Sequence, residues 1–277
     1  MKTITYNLLF SFLLLTHLLA GQSVRAPQSG GYPGLGAYSI RHTDIFSFTA
    51  NQAALAQLQH AAVAVHAEQR FMLKELNNIT AAVGIKTNSG NIGMKANYYG
   101  NPDYNETQFG LAYGRKLGTK VDIGAQFNFN NMAISAGYGS ASAISVDIGT
   151  VWHISERLHT GLHVANPVGG KYGKGLQEKL ASVYTIGFGF DASEKLMCSA
   201  EIQKEENQPV NIKAGVQYRF VKQLLVRIGV SSATSSGWFG AGLFFKTFRV
   251  DITASYHPQL GITPGLLLLC QLKKIKK

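Results

Sequence analysis

The chain has 277 residues, of which 45% are hydrophobic and only 15% charged, against roughly 25% charged in soluble domains. Lysine plus arginine (26) exceed aspartate plus glutamate (15), giving a net charge of +11. The basic residues are scattered and form no single stripe, which argues against a nucleic-acid partner and for anionic lipid headgroups or solutes. No apolar run of 18 residues exists beyond the extreme N-terminus, which excludes a helical membrane protein.

In chain order, Lys2, the apolar run Leu8–Leu15 and the small residues Ala20, Gly21 and Ala26 read as a secretory signal. It covers residues 1–20, with cleavage as late as 26, and implies export through the Sec pathway. Residues 21–60 follow as an N-terminal extension. Gln22–Gly36 is rich in Gly, Ser and Pro, Ala37–His60 has no period-two pattern, and Ala50–Gln59 could form a short helical turn. Such a segment ahead of a barrel is expected to fold into the lumen as a hatch.

Residues 61–277 carry a two-residue beat. In the stretch from Val210 to Phe220, Val210, Ile212, Ala214, Val216, Tyr218 and Phe220 share one face, while Asn211, Lys213, Gly215, Gln217 and Arg219 share the other. Period two is the signature of a strand with one apolar and one polar side. The runs reach the roughly 9–11 residues that cross a bilayer at a tilt. The pattern predicts strands at Ala62–Arg70, Ile79–Thr87, Asn91–Tyr99, Glu106–Lys116, Lys120–Asn130, Ala143–Ile154 and Leu158–Ala165. Seven more are expected at Val183–Phe190, Leu196–Gln203, Val210–Phe220, Leu224–Ser231, Gly237–Lys246, Phe248–His257 and Gly265–Leu272. The even-numbered connections, such as 88–90 and 117–119, are short, whereas 131–142 and 166–182 are long. This alternation of short periplasmic turns and longer external loops belongs to outer-membrane barrels. The expected fold is all-β: a closed antiparallel transmembrane β-barrel of about 14 strands with an N-terminal lumen hatch, in the outer membrane of a Gram-negative bacterium and in contact with its lipid.

By phase, the polar face carries Glu68, Arg70, Lys95, Asp122, Asp147, Glu201, Lys213, Arg219, Arg227, Arg249 and Asp251 into the lumen. Mixed signs there can pair across the interior, so a plugged lumen is expected. Aromatics near strand ends, among them Tyr99, Tyr113, Phe127, Trp152, Tyr218, Trp238 and Tyr256, are candidates for headgroup-level girdles. Cys198 and Cys270 fall in the apolar phase of distant strands and are read as small hydrophobes. Catalytic, cofactor and metal sites are not expected. His159 and His163 share a face about 13 Å apart, too far for one metal ion. Gly169–Gly175 lacks the spacing of a phosphate loop, and no nucleophile elbow is present.

Three short motifs carry a resemblance: Gly34 to Tyr38, Thr43 to Ser47 and Asn51 to Ala56. Together they resemble the N-terminal segment of the FadL-like superfamily, which includes long-chain fatty-acid transporters and the PorV/PorQ barrels of the Bacteroidota type IX secretion system. Gly34, Gly36, Asp44, Asn51, Ala53 and Leu55 match the family pattern, while Gln52 and Ala54 stand where Pro and Gly are usual. The stretch from His257 to Gly261 before the last strand is similar as well, but Cys270 and a lysine tail replace an aromatic closing residue. The resemblance implies a 14-stranded barrel, with PorV/PorQ closest, whose hatch gates a path for small hydrophobic or amphipathic ligands. The alternative that it implies is an accessory barrel acting through secretion-system proteins. Phe71–Leu76 and Phe188–Phe190 are the candidates for an apolar pocket beside the hatch.

Overall fold

A computed structural model describes residues 34–135, 139–173, 179–233 and 235–272. The expected signal at 1–20, the first part of the extension and the lysine tail lie outside these residues. The remainder is one closed antiparallel barrel in which every strand pairs with its sequence neighbours and β1 pairs with β14. The first seven strands are β1 (Ala61–Gln69), β2 (Asn77–Lys86), β3 (Asn91–Gly100), β4 (Tyr104–Leu117), β5 (Val121–Ile134), β6 (Gly139–His153) and β7 (Leu158–Ala165). The others are β8 (Val183–Asp191), β9 (Leu196–Glu205), β10 (Asn211–Val221), β11 (Leu224–Ser231), β12 (Ser236–Phe245), β13 (Phe248–His257) and β14 (Gly261–Leu272).

Alternation becomes architecture directly. On β5, Ala125, Phe127 and Phe129 are exposed while Gln126, Asn128 and Asn130 are buried. On β8, Tyr184, Ile186, Phe188 and Phe190 are exposed while Thr185, Gly187, Gly189 and Asp191 are buried. A soluble β-protein buries its greasy face; this one buries its polar face, an inversion stable only in a lipid solvent. Phe188 and Phe190 therefore face outward and line no pocket beside the hatch.

Three further expectations are corrected. The loop expected at 131–142 is mostly strand, since β5 and β6 stay paired as far as Ile134 and Gly139. That outer part has buried Met132 and Ala141 on the inner face, in place of the polar side chains used to read the phase. Tyr99 is 7% exposed, with Arg70 stacked on its ring at 4.9 Å, so it belongs to the interior and not to an outer girdle. Trp238 likewise packs inward against Leu35 and Met197.

The last strand contains Pro264, which has no N–H to give to a ladder. The structure places it where none is needed: β1–β14 pairing ends at Glu68 and Gly265, and beyond that point β14 pairs only with β13. The hydroxyl of Thr263 instead accepts a hydrogen bond from Phe71 N at 3.0 Å.

Candidate functional site: the lumen hatch

The hatch consists of one helical turn, Gly34–Ala37, and two 3-10 segments, Ile45–Thr49 and Gln52–Gln57. Pieces this short do not hold themselves in water; local caps and the barrel wall hold them. The Asp44 carboxylate accepts from Phe46 N at 2.9 Å, and the Ser47 hydroxyl accepts from Asp44 N at 3.0 Å, a reciprocal cap. Asn51 caps the second 3-10 segment by accepting from Ala53 N at 3.0 Å. Its amide donates to the carbonyls of Thr150 and Leu162, each at 3.2 Å. One side chain thus starts a helix and fastens it to β6 and β7.

The wall is shaped to receive this segment. The inward residues of β2 to β7 that meet the hatch include Gly84, Gly93, Gly114, Gly124, Gly149 and Gly161. A Cβ at Gly124 would run into the Gln52 backbone, and one at Gly149 into the Asn51 side chain. On β8, Gly187 and Gly189 make room for Tyr38, whose phenol is pushed well above its ordinary pKa by burial and then by Glu201. These positions lie at the short-turn end of the strands, so the hatch fills that half of the lumen.

Two kinds of contact hold it. On the β1, β2, β4 and β14 side, Ile45, Phe46, Phe48 and Leu55 pack on Ala62, Ala64, Ala82, Ala112, Leu267 and Leu269, with Leu58 at the margin. On the β11 and β13 side the contact is ionic. Asp44 Oδ2 lies 2.7 Å from Arg249 Nη2 and 3.3 Å from Arg227 Nη2. Asp251 bridges the same two guanidiniums from the wall, at 2.9 Å to Arg249 Nε and 3.2 Å to Arg227 Nη1. Two acids thus balance two bases. Burial alone would raise the Asp44 carboxyl, but Arg249 and then Arg227 outweigh it and hold it below the ordinary carboxylate range. Arg219 stands apart: its guanidinium stacks over Phe244 at 4.8 Å, and its Nε has no hydrogen-bond partner among the described residues.

A third anchor runs through four adjacent strands. Asp122 Oδ2 lies 2.9 Å from His153 Nε2, His153 Nδ1 lies 3.0 Å from His159 Nδ1, and His159 Nε2 lies 3.3 Å from Asp191 Oδ2. The hatch grips both ends. Gln57 Nε2 donates to Asp122 at 2.5 Å, and Ser39 Oγ lies 2.7 and 2.9 Å from the two Asp191 oxygens. Nearby, His42 Nε2 lies 3.1 Å from the Ser193 carbonyl and His42 Nδ1 lies 3.0 Å from Gln217 Nε2. Donation to a carbonyl on one side and acceptance from an amide on the other fit a neutral imidazole, and burial lowers the His42 pKa.

Of the residues singled out by sequence, Asp44, Arg227, Arg249 and Asp251 come together, and Asp122 joins the histidine chain. Gly34 abuts Glu201, Gly36 abuts Ser47 and the His42 carbonyl, and Ala53 and Leu55 are buried inside the hatch. Asp147 and Lys213 lie elsewhere. Asp147 accepts from Asn128 Nδ2 at 2.8 Å and from Asn166 N at 3.2 Å, while Lys213 stands opposite Glu201 in the β9–β10 register. Ser39, His42, Gln57, His153 and His159 were not singled out as hatch contacts. The hairpin turn at 154–157 carried a signal, because it sets His153 opposite His159.

Toward the other end of the lumen, the described residues of the 166–182 connection fold against the wall. Tyr172 and Leu180 are buried against Met132, Ala141 and Ala143. Asn166 Nδ2 donates to the Leu180 carbonyl at 2.6 Å, and Ser182 Oγ donates to the Asn166 carbonyl at 2.8 Å. Instead of extending outward, the described part of this loop packs against the inner face of β5 and β6.

No protein-family model matches the sequence, and no curated protein matches it. Solved structures do match in fold. The Ralstonia pickettii toluene transporter TbuX aligns with a TM-score of 0.63 at 10% identity over 85% of this chain and 95% of its own. The Pseudomonas putida toluene transporter TodX aligns with a TM-score of 0.61 at 10% identity, over 86% and 99% respectively. The CymD monoaromatic hydrocarbon channel gives 0.59 at 9% identity, over 84% and 94%. At such identities the likeness is one of fold: the chain has the 14-stranded barrel architecture of these channels.

Proposed function

We propose that the protein is an outer-membrane channel of the FadL-like type that passes small hydrophobic or amphipathic molecules, with the hatch as its gate. In this reading it reaches the outer membrane of a Gram-negative bacterium by Sec export and performs no chemistry on its solute. The observation that carries the proposal is the asymmetry of the hatch seat. One side is tied by ions and hydrogen bonds, whereas the β14–β1–β2 side is an apolar strip built largely of alanines. Hydrogen bonds to the extension flank this strip, from Lys86 Nζ to Gln59 Oε1 at 3.5 Å and from Asn91 Nδ2 on β3 to the Leu55 carbonyl at 2.8 Å. The apolar contacts between them can part around an apolar solute at little cost, and the anchors keep the hatch aligned. The fold shared with channels named for toluene and monoaromatic hydrocarbons supports the same solute class.

The test is paired. In planar bilayers the intact barrel should show little or no steady conductance, rising when residues 27–59 are deleted, and proteoliposomes should take up a small aromatic hydrocarbon faster with the barrel than without it. Free conductance by the intact protein would replace the gated channel with a plain diffusion pore. Unchanged conductance and uptake after deletion, together with capture of a secretion-system protein by crosslinking from the 166–182 loop, would favour the accessory-barrel alternative over the gated channel.

A further inference from the structure

The chain Asp122–His153–His159–Asp191 can be audited proton by proton. Each of its three contacts, at 2.9, 3.0 and 3.3 Å, joins two atoms that bear lone pairs when bare. Each therefore needs one proton between them to be a hydrogen bond. Two carboxylates and two neutral imidazoles supply only two. A third proton, between the facing Nδ1 atoms or on the outer nitrogens, would complete all three contacts, with Gln57 Nε2 also 3.1 Å from His153 Nε2. A fourth proton would place N–H groups on both facing Nδ1 atoms and set two imidazolium ions edge to edge.

We propose that this chain is an acid-released latch on the hatch. Its complete, three-proton form presents one carboxylate to Gln57 and the other to Ser39, so both ends of the hatch are held. Asp191 also accepts from Ile40 N at 3.3 Å and Arg41 N at 3.4 Å. A fourth proton breaks the central link, the two imidazoles part, and the wall geometry that presents the carboxylates is lost. Of the charges around the chain, Arg41 belongs to the hatch and opposes another positive charge only in the docked state, so it favours departure of the hatch on protonation. Lys116, Lys120 and Arg157, and with them Glu156 and Glu194, stay with the wall in both states, and Lys116 Nζ donates to Gln57 Oε1 at 2.8 Å. His42 reinforces the latch from the hatch itself. It sits docked as the neutral ring, and because burial depresses its pKa, its contribution is full above the ordinary histidine value and is lost as pH falls below it.

The latch bears on transport only if the gated-channel reading holds, so its test reads the hatch directly. Cys198 and Cys270, the free cysteines of the structure, are replaced by alanine, and a nitroxide is attached at Ile40→Cys, an exposed hatch position at 39%. Spin-label mobility and bilayer conductance are then followed from pH 7.5 to pH 5 on the full chain. The expected result is an immobile label at pH 7.5 and a mobile majority by pH 5. In the His153→Gln/His159→Gln variant the change in mobile fraction should shrink at least threefold, with barrel folding checked by heat-modifiable electrophoretic migration. A label that stays immobile across the range in the chain with both histidines overturns the latch, whether or not the variant folds. So does an undiminished response in the folded variant. If the label is released by acid while conductance stays flat, the latch stands and the gating reading fails.

Discussion

Asp44 shows how much one side chain can carry. It caps a 3-10 segment, accepts from two arginines and shares them with Asp251. Asp44→Asn keeps a capping oxygen but leaves Arg227 and Arg249 facing one carboxylate. We expect hatch docking to weaken by about 1.5–3 kcal/mol, the usual worth of hydrogen bonds to charged groups. Hydrogen exchange across residues 34–58 would measure it; protection unchanged from the parent would contradict the role. The pH dependence separates this contact from the histidines. Because the folded carboxyl titrates below its ordinary range, its contribution is full above about pH 4 and lost as pH falls through its lowered pKa. Acid loss at pH 5 to 6 therefore cannot come from Asp44. This residue and Arg249 could be read from the sequence, one from a family-like motif and the other from strand phase. Ser39 and Gln57 could not, since uncharged residues in an aperiodic segment give no hint of which wall they will face.

At the scale of the elements, the glycines of the wall decide where the hatch can lie. Gly124→Val would drive a branched side chain into the Gln52 backbone, while on the outer face β5 would remain unchanged. The expected outcome is a barrel that inserts and resists denaturation as before but opens to ions in brief, flickering events, because the strand ladder is kept and only the seat is filled. A closed, non-conducting Gly124→Val barrel would show that the seat tolerates the intrusion. All fourteen strands were legible from period two, as alternation is imposed by lipid outside and polar groups inside. The outer ends of β5 (131–134) and β6 (139–142) were not, since buried Met132 and Ala141 interrupt the polar phase where Tyr172 and Leu180 pack. The glycines were visible in the polar phase too, but they signify a seat only once the guest is known.

For the whole molecule, the hatch fills the short-turn end of the lumen, and at the other end the described part of the 166–182 connection folds inward against β5 and β6. Two obstructions in series would make conductance changes non-additive. Removing the hatch alone should give brief, flickering openings, while removing it together with the Tyr172 and Leu180 contacts (Tyr172→Ser, Leu180→Ser) should give a steady open level. Equal steady currents from both variants would mean that the 166–182 connection does not obstruct. The hatch also has a consequence for assembly. Ser39 and Asp191 are 152 positions apart, so the segment nearest the start of the barrel finds its anchors on strands that follow much later. Contacts of such long range cannot form until the intervening chain has organised. The Ser39–Asp191 anchor is therefore made late, once the strands from β1 to β8 are in order, whereas the contacts of Ile45 and Phe46 with β1 and β2 are near in sequence. Docking of the hatch begins beside the first strands and reaches this anchor only with the eighth, so a fault anywhere between them costs the plug as well as the wall.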